Sequence, residues 1–108
     1  MSTTTHGEQL LPPKDPSDIV DYALAFDGDG FASGEAITGT PSVVVDAIGG
    51  DASPIVVGAI ALSGTPARTV NVFFSAGSAG NVYVVRVTFV TTGSRTFQRT
   101  FRLPVVDL

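Results

Sequence analysis

Several residue types are absent or nearly absent from this chain, and each absence excludes a class of site. No cysteine occurs among the 108 residues, so disulfides and thiolate metal sites are excluded. His6 is the only histidine, and it lies in a polar leading segment. The sequence therefore offers no Ser/His/Asp triad, and we expect neither enzymatic activity nor a cofactor.

Charge and long hydrophobic runs are also scarce. Charged residues make up 15% of the chain, against about 25% in ordinary soluble domains, so we expect a surface that meets other protein. The net charge of −4 disfavours nucleic acid, whose phosphates require a basic surface. No apolar run approaches the roughly 20 residues that span a bilayer. We therefore predict a protein that is made in the cytoplasm and has neither a nucleic-acid partner nor a membrane partner.

The charges that do occur are divided along the chain. Residues 1–54 hold nine acids against Lys14, a net charge of −8, whereas residues 55–108 hold five arginines against Asp107, a net charge of +4. In a fold whose halves interleave, these charges become neighbours that neutralise one another, which is the interpretation we favour. The alternative is a polar molecule that stacks an acidic face on a basic face in an assembly.

What the sequence has in quantity is glycine, proline and β-branched residues, with 12 glycines and 7 prolines. This composition favours short strands and tight turns, and 108 residues suit one domain. Period-2 alternation and turn residues every eight to twelve positions predict an all-β fold, a single immunoglobulin-like antiparallel sandwich of about seven strands. We assign residues 14–108 to this domain and residues 1–13 to an extended N-terminal arm that becomes ordered in an assembly.

The strands follow from local patterns. Val20 to Phe26 and Thr69 to Ala76 alternate, and Val82 to Thr91 with Thr96 to Val105 forms a long hairpin across a Thr-Thr-Gly-Ser turn. Between them we expect a strand from Ala36 to Val45 that is interrupted near Gly39 to Pro41, because proline lacks the ladder donor. The pattern also predicts a buried strand from Ile55 to Leu62. Tyr83, near the start of the penultimate strand, is expected to tie its hydroxyl to nearby backbone.

One residue of the hairpin breaks the pattern. Arg99 falls on the inward row between Phe97 and Phe101, where an unpaired guanidinium would be costly. We therefore expect Arg99 to pair with a carboxylate, or to lie on a hairpin tip that projects past the core. A projecting tip of Arg95, Phe97 and Arg99 would be an anchor for a partner, since aromatic residues and arginine dominate binding hot spots. The full set of predicted protein contacts is Leu10, Leu11, Arg86, Arg95, Phe97, Arg99 and Arg102.

The carboxylates near Gly28 form the one candidate metal site. Asp27 and Asp29, with Glu35 nearby, offer the oxygen ligands that calcium prefers. The spacing does not fit the twelve-residue calcium loop, because Phe31 falls on one ligand position and Thr38 on the closing one. A Gly-Asp turn between strands is the interpretation we favour, and the prediction is no metal, with these three residues as weak candidates.

Motifs near both ends of the chain resemble a known group of phage proteins. Lys14-Asp15-Pro16 precedes Asp21-Tyr22, Gly77-Ser78-Ala79-Gly80 precedes Tyr83, and Thr91-Thr92-Gly93 precedes Arg95, Arg99 and Val105. In these motifs the chain resembles small virion structural proteins of the fibre-tail adaptor type. It departs from them in having Phe26 and Phe31 where the group often has tryptophans, and Gly34-Glu35-Ala36-Ile37 for a Gly-Asp-x-Ile step.

The resemblance implies a non-enzymatic virion component with an immunoglobulin-like fold. Its partners would be other virion proteins of the tail, neck, fibre or capsid, with copies of the chain forming a homo-oligomer in the particle. An adaptor joining tail or neck to fibres is the first expectation, and a capsid decoration protein is the second. From another class, a calcium- or carbohydrate-binding sandwich using Asp27, Asp29 and Glu35 stays open, as does a pilin-like subunit that exchanges strands.

Overall fold

The computed structural model describes residues 9–26, 30–47 and 54–108. These residues form strands and turns without a helix, so the all-β prediction is confirmed. Accordingly, no helix long and apolar enough to cross a membrane occurs within the described ranges. The strands are β1 (Gln9–Leu10), β2 (Val20–Ala25), β3 (Ile37–Ala47), β4 (Ile55–Ser63), β5 (Thr69–Ala76), β6 (Asn81–Thr91) and β7 (Thr96–Val105).

The strands form two sheets, each built on three antiparallel strands. One sheet has the order β1-β7-β6-β3, in which the two-residue β1 pairs in parallel with β7, and the other has the order β2-β5-β4. Both sheets contribute to a single hydrophobic cluster, with Val70, Val72 and Phe74 from one sheet and Val85 and Val87 from the other all completely buried. The alternation seen in the sequence therefore marks the core faces.

The hairpin of β6 and β7 follows the predicted register. Tyr83 pairs with Leu103, Val85 with Phe101 and Phe89 with Phe97, so the apolar rows of both strands share one face. Tyr83 is completely buried, and its hydroxyl accepts a hydrogen bond of 2.8 Å from the backbone N–H of Ser78. The expected tie between this hydroxyl and nearby backbone is confirmed.

Strand β3 also behaves as its sequence indicates. Its register against β6 shifts between Thr38 and Ser42, where Gly39 adopts a φ of 72° and Pro41 follows. A positive φ suits glycine, and proline is tolerated at a bulge or edge because no ladder hydrogen bond is lost there. The predicted interruption of this strand is confirmed.

Two local predictions are wrong. β4 is not a buried strand: it lies at the edge of the β2-β5-β4 sheet, and of its side chains only Ile55 is buried, while Val56 is 53% exposed. Apolar residues in an edge strand lose water on one face alone, so composition overstated the burial. The tip of the β6-β7 hairpin does not project either, because Phe97 packs against the core cluster.

The first described residues lie against the last strand. Gln9 pairs with Phe101 and Leu10 with Arg102, and the N–H of Leu11 donates to the carbonyl of Arg102. Leu11 is buried in the core cluster, whereas Leu10 is 74% exposed. Part of the segment predicted as an arm, residues 9–11, is therefore held by β7.

Candidate functional site

At one end of the molecule, phenylalanine rings form a stack that runs from the core to the surface. Phe26 contacts Phe89 at a ring-centroid distance of 4.8 Å, and Phe97 stacks on Phe89 at 5.3 Å. Phe31 lies almost parallel to Phe97 at 5.5 Å and 6°. Phe31 and Phe97 are half-buried, so the outer rings of this stack reach the solvent.

Three guanidinium groups cover the outer rings. Arg68 lies 5.0 Å from the centre of Phe31, while Arg95 and Arg99 lie 5.0 and 5.2 Å from the centre of Phe97. These distances fall within the range of cation–π attraction, which holds each guanidinium over its ring. We call this cluster of Phe31, Phe97, Arg68, Arg95 and Arg99, together with Glu35 beneath it, the arginine end.

Glu35 is the anchor of the arginine end. Its side chain is buried, and both carboxylate oxygens accept hydrogen bonds from Arg95. The Thr91 hydroxyl and the Ala32 N–H donate to the same carboxylate. These hydrogen bonds, with that of Arg95 foremost, lower the pKa of Glu35 to about 2, so the group stays ionised.

The remaining contacts of the arginine end fix its cations to backbone carbonyls. Arg68 donates to the carbonyls of Glu35 and Ala32, both at 3.0 Å. Arg95 also donates to the carbonyl of Gly30 at 2.9 Å, and Arg99 donates to that of Gln98 at 2.9 Å. Because the rings and carbonyls position them, these guanidiniums lose little further conformational freedom on binding a partner.

A shallow cleft lies beside Glu35 and Arg95. It has a volume of about 280 Å³ and is lined by Ala32, Ser33, Gly34, Glu35, Thr92, Gly93 and Arg95. Gly93 lies so close to the carboxylate that a Cβ atom there would come within 2.6 Å of Glu35 Oε2. Glycine at this position thus lets the hairpin turn close over the buried carboxylate.

The opposite end of the molecule is organised by Lys14, which is completely buried. Its ammonium group donates to the carbonyls of Asp15 at 2.8 Å and Ala76 at 2.7 Å, and burial lowers its pKa. Its backbone bridges Pro104 and Val106. We call the group of Lys14, Asp15, Asp18, Ala76 and Asp107 the Lys14 end.

The structure separates the predicted contact residues into different surfaces. It brings Arg95, Phe97 and Arg99 together at the arginine end, where Arg99 is half-buried in the inward row over Phe97. Arg86 forms a 2.7 Å ion pair with Asp46 on the outer face of the four-stranded sheet, the face on which the exposed Arg102 and Leu10 also lie. Leu11 is in the core.

Two ion pairs bear on the division of charge along the chain. Arg86–Asp46 and Arg95–Glu35 each join an arginine of the second half to an acid of the first. For these four residues, the interpretation that the halves neutralise one another is confirmed.

The three candidate metal ligands lie partly inside and partly outside the described residues. Asp27 and Asp29 lie outside the described residues, and in the described ranges no group of three or more His, Cys, Asp or Glu residues could hold a metal ion. Glu35 directs both oxygens at protein donors. The prediction of no metal, with these three residues as weak candidates, therefore stays a prediction.

Sequence reasoning missed the ion pair between Glu35 and Arg95 and the burial of Lys14. It placed Glu35 with the acids of the candidate metal site and Arg95 with the docking residues, although they form one ion pair across 60 positions. A usable signal was Glu35 itself, an acid two residues before the start of β3 at Ile37, because a carboxylate buried there needs a cation. It also missed the burial of Lys14, the only lysine. The Lys-x-Pro motif at this position contributes to the family resemblance, but nothing in the motif indicates that the lysine is buried.

The comparisons with known proteins agree with the resemblance seen in the motifs. No curated protein matches the chain. Residues 14–104, which include the arginine end and all of the Lys14 end except Asp107, match the family described as podophage GP4 fiber-tail adaptor protein gp77. This match covers most of the chain, which therefore belongs to the family of the podophage GP4 fibre-tail adaptor protein gp77.

Proposed function

We propose that this protein is a non-enzymatic structural component of a phage virion, an adaptor that joins the tail or neck to fibres through protein contacts. The family match over residues 14–104 is the observation that carries the proposal. The arginine end supplies a physical basis, because it combines half-exposed aromatic rings with prepositioned guanidiniums. Both are residue types that dominate protein-binding hot spots.

The domain that presents this surface is an immunoglobulin-like sandwich. Such domains pair strands C, F and G in one sheet and B, E and D in the other. The orders β3-β6-β7 and β2-β5-β4 support this assignment when β2 to β7 are taken as B to G. The buried Tyr83 hydroxyl, bonded to backbone five residues upstream, supports it further because it has the position of the tyrosine corner.

Residues 14–108 form this domain, and residues 1–13 form its N-terminal arm. The pairing of Gln9 and Leu10 with β7 gives the arm a fixed point of departure from the domain. The arm is a second contact region, with Leu10 as its exposed apolar residue at 74%. The protein would be made in the cytoplasm of the host cell and would then become part of the virion.

The arginine end is the main contact surface for the fibre or tail partner. Phe97 is its central ring, since it contacts Phe31, Phe89 and two guanidiniums. A ring in this position is already ordered before binding, so its contact with a partner costs little side-chain entropy. A complementary partner surface would present carboxylates and apolar side chains.

Alanine substitution at this surface tests the proposal. Phe97→Ala and Arg99→Ala are expected to weaken capture of the purified protein by fibreless particles at least about tenfold, the effect of removing a hot-spot side chain. Both variants should keep the cooperative thermal unfolding of the wild type. Phe73→Ala is the matched control, because Phe73 is a 41% exposed phenylalanine on the outer face of the other sheet.

Three outcomes would change the conclusion. Equal loss of capture in Phe97→Ala and Phe73→Ala would mean that the arginine end has no special role. Wild-type protein recovered with heads instead of tails would favour capsid decoration over the adaptor. A large loss of melting temperature in Arg99→Ala would show that Arg99 stabilises the fold instead of docking a partner.

A further inference from the structure

The edge strands of the two sheets differ in how they are protected. An edge strand leaves one row of backbone N–H and C=O groups unpaired, and proteins protect such rows with charged residues, proline, bulges or short length. In the four-stranded sheet the edges are β1, which has two residues, and β3, which carries Pro41 at its bulge. In the three-stranded sheet the edge strand β2 has six residues and carries Asp21. These three edges are therefore short, charged or interrupted.

The fourth edge strand, β4, has the least protection. Its nine residues, Ile55–Ser63, include no proline and no charged residue. Among the described strands it pairs only with β5. A bulge interrupts this pairing between Val57 and Ile60, and beyond the bulge the register is regular. The stretch Ile60–Ser63 therefore directs alternate backbone groups away from β5 without interruption.

The side chains of this stretch are apolar on the side that faces the core. Ile60 and Leu62 are partly buried and pack against the core cluster, whereas Ala61 and Ser63 are exposed. A strand added beside β4 would place alternate side chains next to Ile60 and Leu62 and remove more of their surface from water. It would also pair the outward backbone groups of β4. Strand addition would thus bury apolar surface and form backbone hydrogen bonds at the same time.

The position of β4 limits what can occupy this edge. The N-terminal arm leaves the domain beside β7, on the side of β2, because the Tyr22 hydroxyl donates to the carbonyl of Pro12. β4 lies on the other side of the sandwich, against β3. Two-fold pairing of β4 with a second copy would bring the bulges of both strands to the centre of the new ladder, where they disrupt it. A segment of a different protein meets neither obstacle.

The stretch also lies next to the proposed contact surface. The N–H of Arg68 donates to the carbonyl of Ser63 at 3.3 Å, so the last residue of β4 adjoins the arginine end. One partner can therefore contact the arginine end with side chains and β4 with its backbone.

We propose that Ile60–Ser63 is a β-augmentation site, at which an extended, uncharged segment of the partner that contacts the arginine end adds a strand to the three-stranded sheet. The segment is extended because it pairs backbone groups, and it is uncharged because β4 offers no charge to pair with one beside Ile60 and Leu62. The inference rests on the proposed adaptor function and deepens it by naming how the partner is held.

Hydrogen exchange of the bound chain tests the backbone pairing. When the full chain is bound to purified fibreless particles, the outward N–H groups of Ile60–Ser63 should exchange at least about tenfold more slowly than in the free chain, because they gain acceptors. β2 is the internal control, since it is the other edge strand of the same sheet. Its exchange should be the same in the free and the bound chain.

A matched pair of lysine variants tests the same edge by substitution. Ala61 and Ala23 are both exposed, and they pair with Asn71 from its two sides. Ala61→Lys should weaken capture by fibreless particles at least about tenfold, because a lysine on an edge strand opposes the addition of another strand. Ala23→Lys makes the same change in net charge at the opposite edge, and it should bind like the wild type. Thermal unfolding checks that both variants are folded.

Defined results would overturn the inference. If the particles capture the wild type but exchange in β4 is unchanged, β4 is not a contact and the adaptor function stands. Equal loss of capture in Ala61→Lys and Ala23→Lys would reduce the effect to net charge. Protection of β4 in a dimer of the free chain would make a second copy the occupant. A wild type that never binds the particles would refute the adaptor function, and this inference with it.

Discussion

Replacing Gly93 by alanine should destabilise the fold through one atomic contact. The new Cβ would lie 2.6 Å from Oε2 and 3.2 Å from Cδ of Glu35, so the carboxylate would have to move by about 1 Å to reach ordinary contact distance. It has little freedom to move, because Arg95, Thr91 and Ala32 all donate to it. The substitution therefore strains the buried network or breaks part of it.

The magnitude follows from two opposing effects. Overpacking at a fixed site costs about 1–3 kcal/mol, whereas alanine stiffens the unfolded chain and returns about 0.4–1 kcal/mol. Gly93 does not adopt the left-handed φ seen at Gly30 and Gly34, so no backbone strain is added. The midpoints of these two ranges leave a net loss of about 1.3 kcal/mol, which should lower Tm by about 5–10 °C in a domain of this size, measured by calorimetry.

A double-mutant cycle isolates the contact. In a Glu35→Ala background the carboxylate is gone, so Gly93→Ala should no longer lower Tm and should leave only the gain of about 0.4–1 kcal/mol from the stiffer unfolded chain. If Gly93→Ala lowers Tm equally in both backgrounds, the loss does not come from the Glu35 contact and the reasoning is refuted. A Gly93→Ala variant as stable as the wild type would show that the turn relaxes freely.

Two further stability predictions rest on buried polar groups. The folded pKa of Glu35 is about 2, below its ordinary value. Its ionised carboxylate therefore stabilises the folded state above pH 4.5, and this stabilisation disappears as the pH falls toward 2. Over that window the Tm of Glu35→Gln should fall less steeply than the Tm of the wild type, and equal slopes would contradict this. Tyr83→Phe leaves the Ser78 N–H without its bond to the hydroxyl, so urea unfolding should show a loss of about 1 kcal/mol, whereas an unchanged midpoint would mean that water replaces the hydroxyl.

The sequence alone was sufficient for the class of fold and for the faces of the long strands. Val70, Val72 and Phe74 recur at every second position of β5, and of the residues that flank or separate them Thr69, Asn71 and Ser75 are polar. Such alternation is typical of a half-buried strand, so their burial could be predicted. The turn at Thr91 to Gly93 and the interruption at Pro41 were equally readable, because glycine and proline act through local backbone geometry. The family resemblance was visible in short motifs for the same local reason.

The sequence could not give the partners of residues far apart in the chain. Glu35 and Arg95 are 60 positions apart, Lys14 and Ala76 are 62 apart, and no periodicity encodes such pairs. The burial of β4 was overestimated because an apolar composition is compatible with either a central or an edge strand. Only the order of strands in the sheet distinguishes the two.

The sequence by itself thus determined an all-β domain and its inward rows, since these depend on residue type and short spacing. The tertiary structure decided that Arg99 lies over Phe97, that Arg95 is held by the buried Glu35, and that the only lysine is buried at the opposite end. Charge, unlike alternation, acts through space, so the division between an arginine end and a Lys14 end appears only once the chain has folded.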